Sequence, residues 1–436
     1  MYPIDIKSFD EVVKRCGIIE LGSATIRQIS ALAAEIEKIS GEKCIHLEMG
    51  NPGLPAAPIG IEAECKALRA GVAGVYPNVA GIPELKQAGE RFIKAFLNED
   101  MPARCIIPTV GSMQGCFTLL LLLGQREPGR DTILYLNPGF PAQRHQAKVL
   151  GLNTRAFDIY DCRGEALEAK LRESLSDGRV TALIYSNPNN PAWTNFTERE
   201  MEIIGTVSAE YDVTVIEDLA YFGMDFRTDF SHPGEPPYPP TVARYTRNFI
   251  QMISASKIFS YAGQRISLVC ISPEVFDRTY EFLEKFYEMA SFGDAYVFGV
   301  LYCASSGTTH SAQYAMAAML NAAVDGKLDF VGDSRDYARR AALARQAFTE
   351  AGFRLVYDRD GETPVGDGFF FTMGYGDMDS DTLQSELLRY GIATITLPST
   401  GSCQHGVRIC VSMLTAPEQF NVLSKRLKEF SNAHPS

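Results

Sequence analysis

Apolar residues in this chain fall into short runs separated by longer amphipathic stretches, and that rhythm predicts strands alternating with helices. Runs rich in β-branched residues predict strands at Ile45 to Met49, Thr132 to Leu136, Val180 to Ser186, Val213 to Glu217, Phe249 to Ile253 and Ile266 to Ile271. Between them the spacing changes to a helical one. Ile26, Ile29, Leu32 and Ile36 mark one face of a helix that Ser23 can cap and Gly41 can end. Pro83 suits the first turn of a helix running toward Phe96. A strongly apolar helix continues from Gly111 to Leu123, and Arg199 to Tyr211 is helical too. Strands in alternation with helices indicate an α/β fold built on a mostly parallel sheet with helices on both faces.

The pattern changes after about Gly293. An Ala/Ser-rich helical stretch reaches Asp325 with a break at Ser305 to Thr309, and a helix from Asp336 to Glu350 stops at Gly352. Strands at Phe353 to Tyr357, Gly368 to Met373, Ile392 to Leu397 and Val407 to Ser412 follow, with helices near Leu383 to Tyr390 and from Pro417 to Phe430. This reads as a smaller α+β domain. Ser231 to Pro240 is a Pro-rich loop that no regular element would tolerate.

In doubly wound sheets ligands collect at the carboxyl ends of the strands. Phe140, Asn190, Asp218 with Tyr221, and Lys257 each fall just past a predicted strand end. A lysine partly out of water gives up its proton more readily and becomes a nucleophile. Lys257 taken alone is better read as a surface charge; its company changes that reading. Arg265 follows it, and a guanidinium suits a phosphate. At Gly111-Ser112-Met113 a small-residue turn opens a helix. It either offers backbone N–H groups to an anion or is simply capped by Ser112. An aromatic on a Pro/Gly corner, as Phe140 is, can stack on a planar ring or cover the core. Arg408 lies inside an apolar strand, where a charge is costly unless paired with a carboxylate of the protein or of a ligand.

Composition narrows the partners. A formal net charge of −12 argues against nucleic acid and against an anionic membrane surface. The ten cysteines are scattered without a CxxC, as expected of reduced thiols in a cytoplasmic enzyme. Met1 to Glu20 has charges throughout and no signal-peptide core, and the longest apolar run, Phe117 to Leu123, is too short to span a bilayer. No GxGxxG or GxxxxGK[ST] follows a strand, which disfavours a nucleotide-binding enzyme, and no metal site is expected.

Taken together, Asn190-Pro191, Asp218-Leu219-Ala220-Tyr221, Ser254-Ala255-Ser256-Lys257 with Arg265, and Arg408 resemble the ordered motifs of the class I/II aminotransferases. These are pyridoxal-phosphate enzymes of fold type I, similar to aspartate aminotransferase. The resemblance implies a large cofactor domain over 56–319, and a small domain from 1–55 with 320–436. It implies that Lys257 forms a Schiff base with pyridoxal 5'-phosphate, that Asp218 pairs with the ring nitrogen, and that Asn190 and Tyr221 bond its phenolic oxygen. Phe140 would stack on the ring. Ser112, Met113, Ser254 and Arg265 would hold the phosphate, joined by Tyr76 from a neighbouring subunit. Gly50 would line the substrate pocket, and Arg408 would clamp the α-carboxylate. The implied activity moves an amino group between an amino acid and a 2-oxo acid in a cytoplasmic homodimer, with Tyr76 and Thr308 reaching the partner's site. Lyase chemistry on the same scaffold and a non-catalytic cofactor sensor are the alternatives. Ala192-Trp193 departs from the Thr-Gly that usually follows Asn-Pro in the family. The stretch Pro398 to Gly406 ahead of Arg408 lacks the usual aromatic-Gly pattern, and no second arginine for a dicarboxylate substrate is evident.

Overall fold

Seven strands form the central sheet of the computed structural model, which describes residues 2–4 and 6–435. They are β1 (Ile106–Thr109), β2 (Thr132–Asn137), β3 (Asn153–Asp158), β4 (Val180–Ser186), β5 (Thr214–Asp218), β6 (Phe249–Ser254) and β7 (Ser267–Ile271). Their order is β1-β7-β6-β5-β4-β2-β3. Neighbours from β6 through β3 run parallel, and only β7 opposes the rest. The expected mostly parallel sheet is therefore present. Most of its strands are buried along their whole length because helices cover both faces. Alternate residues feed two separate cores: Leu183, Val215 and Ile253 pack on one face, Ala182, Ile216 and Met252 on the other.

The edge strand β3 went unread in the sequence. Asn-Thr-Arg-Ala-Phe-Asp has no apolar run, since one edge and much of its surface face water. The helix expected from Ser23 begins instead at Ile26. Leu21–Ser23 is a 3₁₀ turn, and Thr25 is the cap, in a reciprocal box with Gln28. Gly41 ends that helix at φ 75°, as expected.

A second, antiparallel sheet has the order β10-β11-β9-β8, with β8 Arg354–Leu355, β9 Phe370–Gly374, β10 Ile395–Thr396 and β11 Val407–Cys410. The expected strand Ile392 to Leu397 is split. Ile392–Ala393 pairs in parallel with Ile45–His46, and only Ile395–Thr396 joins the second sheet. The chain changes partners within a few residues, which a continuous apolar run cannot reveal.

Buried ion pairs fasten the helices. Glu200, 1% exposed, accepts from Arg163 Nε at 2.7 Å and Nη2 at 2.9 Å and closes a capping box with Thr197. Burial pushes the Glu200 carboxyl up, but Arg163 and the surrounding N–H donors outweigh it and hold it below the usual glutamate range. A depressed carboxyl stabilises above its unfolded-state pKa, about 4.3, and that contribution is lost as pH falls through the lower folded-state value. We predict that Glu200→Ala costs about 3 kcal/mol in urea unfolding at pH 7. The deficit should shrink steadily below about pH 4.

Candidate active site

The C-terminal ends of β4, β5 and β6 bring the motif residues together. Asp218, the last residue of β5, is paired in register with Ser186 on β4 and Met252 on β6. Lys257 follows β6 by one short helical turn, Ala255–Ile258, which Ser254 caps by accepting from Ser256 N at 3.2 Å. Asn190 and Tyr221 lie on the loops leaving β4 and β5, both buried. Phe140 stands half-buried at the head of the helix Pro141–Val149, just after β2.

Asp218 has little water around it, and burial lifts its carboxyl to about 6. Gln143 Nε2 at 2.7 Å and Ala220 N at 3.2 Å donate to its two oxygens. Burial pushes the Lys257 amine down to about 8, and the charges of Arg408 and Arg265 push the same way. Lys257 Nζ donates to the Gly50 carbonyl and lies 5.3 Å from the centre of the Phe369 ring. Tyr221 is pushed well above its ordinary value by burial, so its hydroxyl keeps its proton and remains a donor.

The helix Gly111–Gln125 begins against Arg265. A Cβ at Gly111 would sit 2.4 Å from Arg265 Nη2, and φ there is +68°. Only a glycine lets the guanidinium approach the helix start this closely. The first N–H groups of the helix, at Ser112 and Met113 among others, have no intrahelical acceptor. Arg265 itself uses Nη1 to bond the Ala262 carbonyl at 3.0 Å.

Arg408 in β11 is 1% exposed. Its partners are Asn190 Oδ1 at 3.2 Å and the Glu48 carbonyl, and among the described residues no carboxylate pairs with it. Its guanidinium rests 4.7 Å from the Phe370 ring centre. Two expected residues stand apart from this cluster. Tyr76 is 89% exposed, with no bond to the cluster among the described residues. Thr308, expected to reach a partner, is buried and spends its hydroxyl on the Pro108 carbonyl at 2.9 Å.

Comparison with known proteins identifies the family. The family model for aminotransferase class I and II matches residues 42–426. The chain belongs to that family. Nicotianamine aminotransferase 1 of Oryza sativa subsp. japonica is 28% identical over 203 residues, 45% of this chain and 40% of the relative. Glutamate-pyruvate aminotransferase AlaC of Escherichia coli K12 is 27% identical over 233 residues, 52% of this chain and 54% of the relative. The chain spans about half the length of the curated relatives it matches. Among solved structures, aspartate aminotransferase from Thermus thermophilus with maleate superposes with a TM-score of 0.74 at 19% identity, covering 93% of this chain and 96% of that one. That likeness establishes a shared fold.

Some residues of this candidate site went unread in the sequence. Gln143 bonds Asp218, yet it lies in a polar helix that looks solvent-facing. Phe369 and Phe370 support Lys257 and Arg408 from neighbouring positions at the start of a strand, where one of two successive aromatics would ordinarily point away. Gly50 is expected to line the substrate pocket, but the bond from Lys257 to its backbone carbonyl leaves no mark in residue identity.

A carboxyl raised by burial costs the folded state stability once it ionises. With a folded value of about 6 against an ordinary 3.8, that cost grows from pH 4 to pH 6 and is fully present at pH 7. Asp218→Asn should therefore leave the ligand-free protein as stable or more stable at pH 7, by up to roughly 3 kcal/mol, with the gain vanishing near pH 4. Chemical denaturation of both proteins at the two pH values measures it.

Proposed function

We propose that this protein is a pyridoxal-phosphate-dependent aminotransferase, acting between an amino acid and a 2-oxo acid. One observation carries the reading. Lys257 lies close enough to Arg265 and Arg408 to feel both charges, and among the described residues none of the three is paired with a carboxylate. In a chain with net charge −12, such a cluster is suited to take anions from outside. A phosphate and a substrate carboxylate supply two.

The residues present fit the cofactor. Lys257 offers a desolvated amine for its aldehyde. Asp218 offers a buried carboxylate for its ring nitrogen, and Asn190 and Tyr221 offer polar groups for its phenolic oxygen. The helix start at Ser112 and Met113, with Ser254 and Arg265, would take its phosphate. Phe140 would cover one face. When bound, the cofactor withdraws electrons from the bonds at the substrate Cα.

The protein does the rest. Arg408 and Asn190 bind the α-carboxylate, which orients the amino acid so that its Cα–H bond is the one that breaks. Lys257 Nζ, whose burial brings its neutral form within reach at much lower pH than for a solvated lysine, takes the Cα proton. Asp218 in its ionised form holds the proton on the ring nitrogen. Phe369, Phe370 and Tyr221 exclude water from the cleft.

Residues 56–319 would form the cofactor domain and 1–55 with 320–436 the small domain; the pairing of Ile45–His46 with Ile392–Ala393 favours this. The exposed Tyr76, free to reach a second copy, favours a homodimer. Ten free cysteines favour a reducing cytoplasm, and among the described residues no helix is long and apolar enough to cross a membrane.

The decisive experiment is a half-reaction screen: amino acids are added to the yellow protein without an oxo acid. Conversion of the cofactor to its aminated form supports transfer, while release of pyruvate and ammonia would replace it with elimination. Lys257→Ala should abolish covalent fixing of the cofactor by borohydride, read by mass spectrometry of the digested chain. The rate of cofactor attachment to ligand-free protein should rise roughly tenfold per pH unit and level off above about 8, because only the neutral amine attacks. A rate that keeps climbing to pH 10 would mean an unperturbed lysine.

A further inference from the structure

Trp193 is the only tryptophan of the chain, and it occupies a place that ordinary packing would not choose. Its backbone is left-handed, with φ 62°. A bulky side chain is strained there unless the surroundings hold it. They do. The indole is 1% exposed, and its edge fills the space over Gly368, where a Cβ would lie 2.0 Å from Trp193 Cε2. Gly368 precedes β9 of the second sheet, whereas Trp193 sits on the loop leaving β4 of the first. The indole is thus a wedge driven from one sheet into a notch beside the other.

Its neighbours on the wedge's flank belong to the site. Trp193 meets the Tyr221 ring edge-on at 5.5 Å and the Phe370 ring at 6.2 Å. Tyr221 and Phe370 meet each other at 5.4 Å, and Phe370 carries the Arg408 guanidinium at 4.7 Å. Three residues before the wedge, Asn190 accepts from Arg408 Nη1 at 3.2 Å. The loop is pinned two residues after it, where Asn195 N donates to Asp360 Oδ1 at 2.8 Å. Inserting the indole therefore sets the position of Phe370, and with it Arg408, relative to Asn190 and Tyr221.

We propose that Trp193 is a positioning residue that acts through Phe370 and Tyr221 to hold Arg408 at the depth that receives a substrate carboxylate. This rests on the reading of Arg408 given above. A tryptophan that merely filled the core would affect stability and leave carboxylate affinity alone.

The test uses propionate, a carboxylate without an amino group that can bind but cannot react. Its affinity is measured on the cofactor-loaded wild type, Trp193→Phe, Trp193→Gly and Gly368→Ala from the visible band. It is also measured on wild type, with and without cofactor, from the emission of Trp193, which has no other indole to mask it. Trp193→Gly should weaken propionate at least tenfold and raise KM for the amino acid similarly, with kcat changed less than threefold. Trp193→Phe should recover affinity to within threefold. Gly368→Ala should behave like Trp193→Gly, because its methyl group expels the indole. Saturating propionate should shift the wild-type emission. Unchanged propionate affinity in Gly368→Ala and Trp193→Gly, or wild-type emission indifferent to bound propionate, would overturn the wedge while leaving Arg408 in place. If Trp193→Gly fails to fold, Gly368→Ala and the wild-type emission still decide. A wild type that takes up cofactor yet binds no propionate would overturn the Arg408 reading and the wedge with it.

Discussion

Lys257, Arg265 and Arg408 lie together at the site, among the described residues no carboxylate pairs with any of them, and much of the structure follows from how that is tolerated. Lys257 escapes the conflict by shedding its proton at lower pH than a solvated lysine would. Arg408 cannot do so at neutral pH. It is held by a carbonyl, an amide oxygen and the face of Phe370, which compensate a guanidinium only in part. Arg265 lies against the positive end of a helix. Each arrangement raises the energy of the ligand-free protein and leaves favourable interaction available to an incoming anion.

Asp218 is the counterpart. It is a carboxylate placed where water is scarce, so it resists ionising until a positive partner arrives. The site is therefore polarised: acid at the end of β5, cations around it. Supporting that polarity takes the interior of a large sheet, since only a strand buried on both faces can hold Asp218 this dry.

Close backbone approach is the second means by which the fold positions charge. Gly111 admits Arg265 to a helix start, and Gly368 admits the indole of Trp193. Gly53 lets its own loop touch the backbone at Ser412, where a Cβ would come within 1.7 Å of the carbonyl oxygen. These contacts tie the first sheet, the second sheet and the N-terminal segment to a common geometry around Lys257 and Arg408.

The sequence by itself determined the parallel sheet and the placement of Phe140, Asn190, Asp218, Tyr221 and Lys257. Strand runs and the residues just past them are local features, and fold rules put strand ends on one edge. It also determined that Arg408 needed a partner, because a charge in an apolar strand is costly in any fold. The tertiary structure alone decided what that partner was, since Asn190 lies 218 positions away in sequence. It alone identified Gln143 on Asp218, the platform of Phe369 and Phe370, the cap at Thr25 rather than Ser23, and the use of Trp193. The physical reason is common to all of these. Periodicity records which side of an element is buried, while the identity of what it is buried against depends on packing between segments distant in the chain.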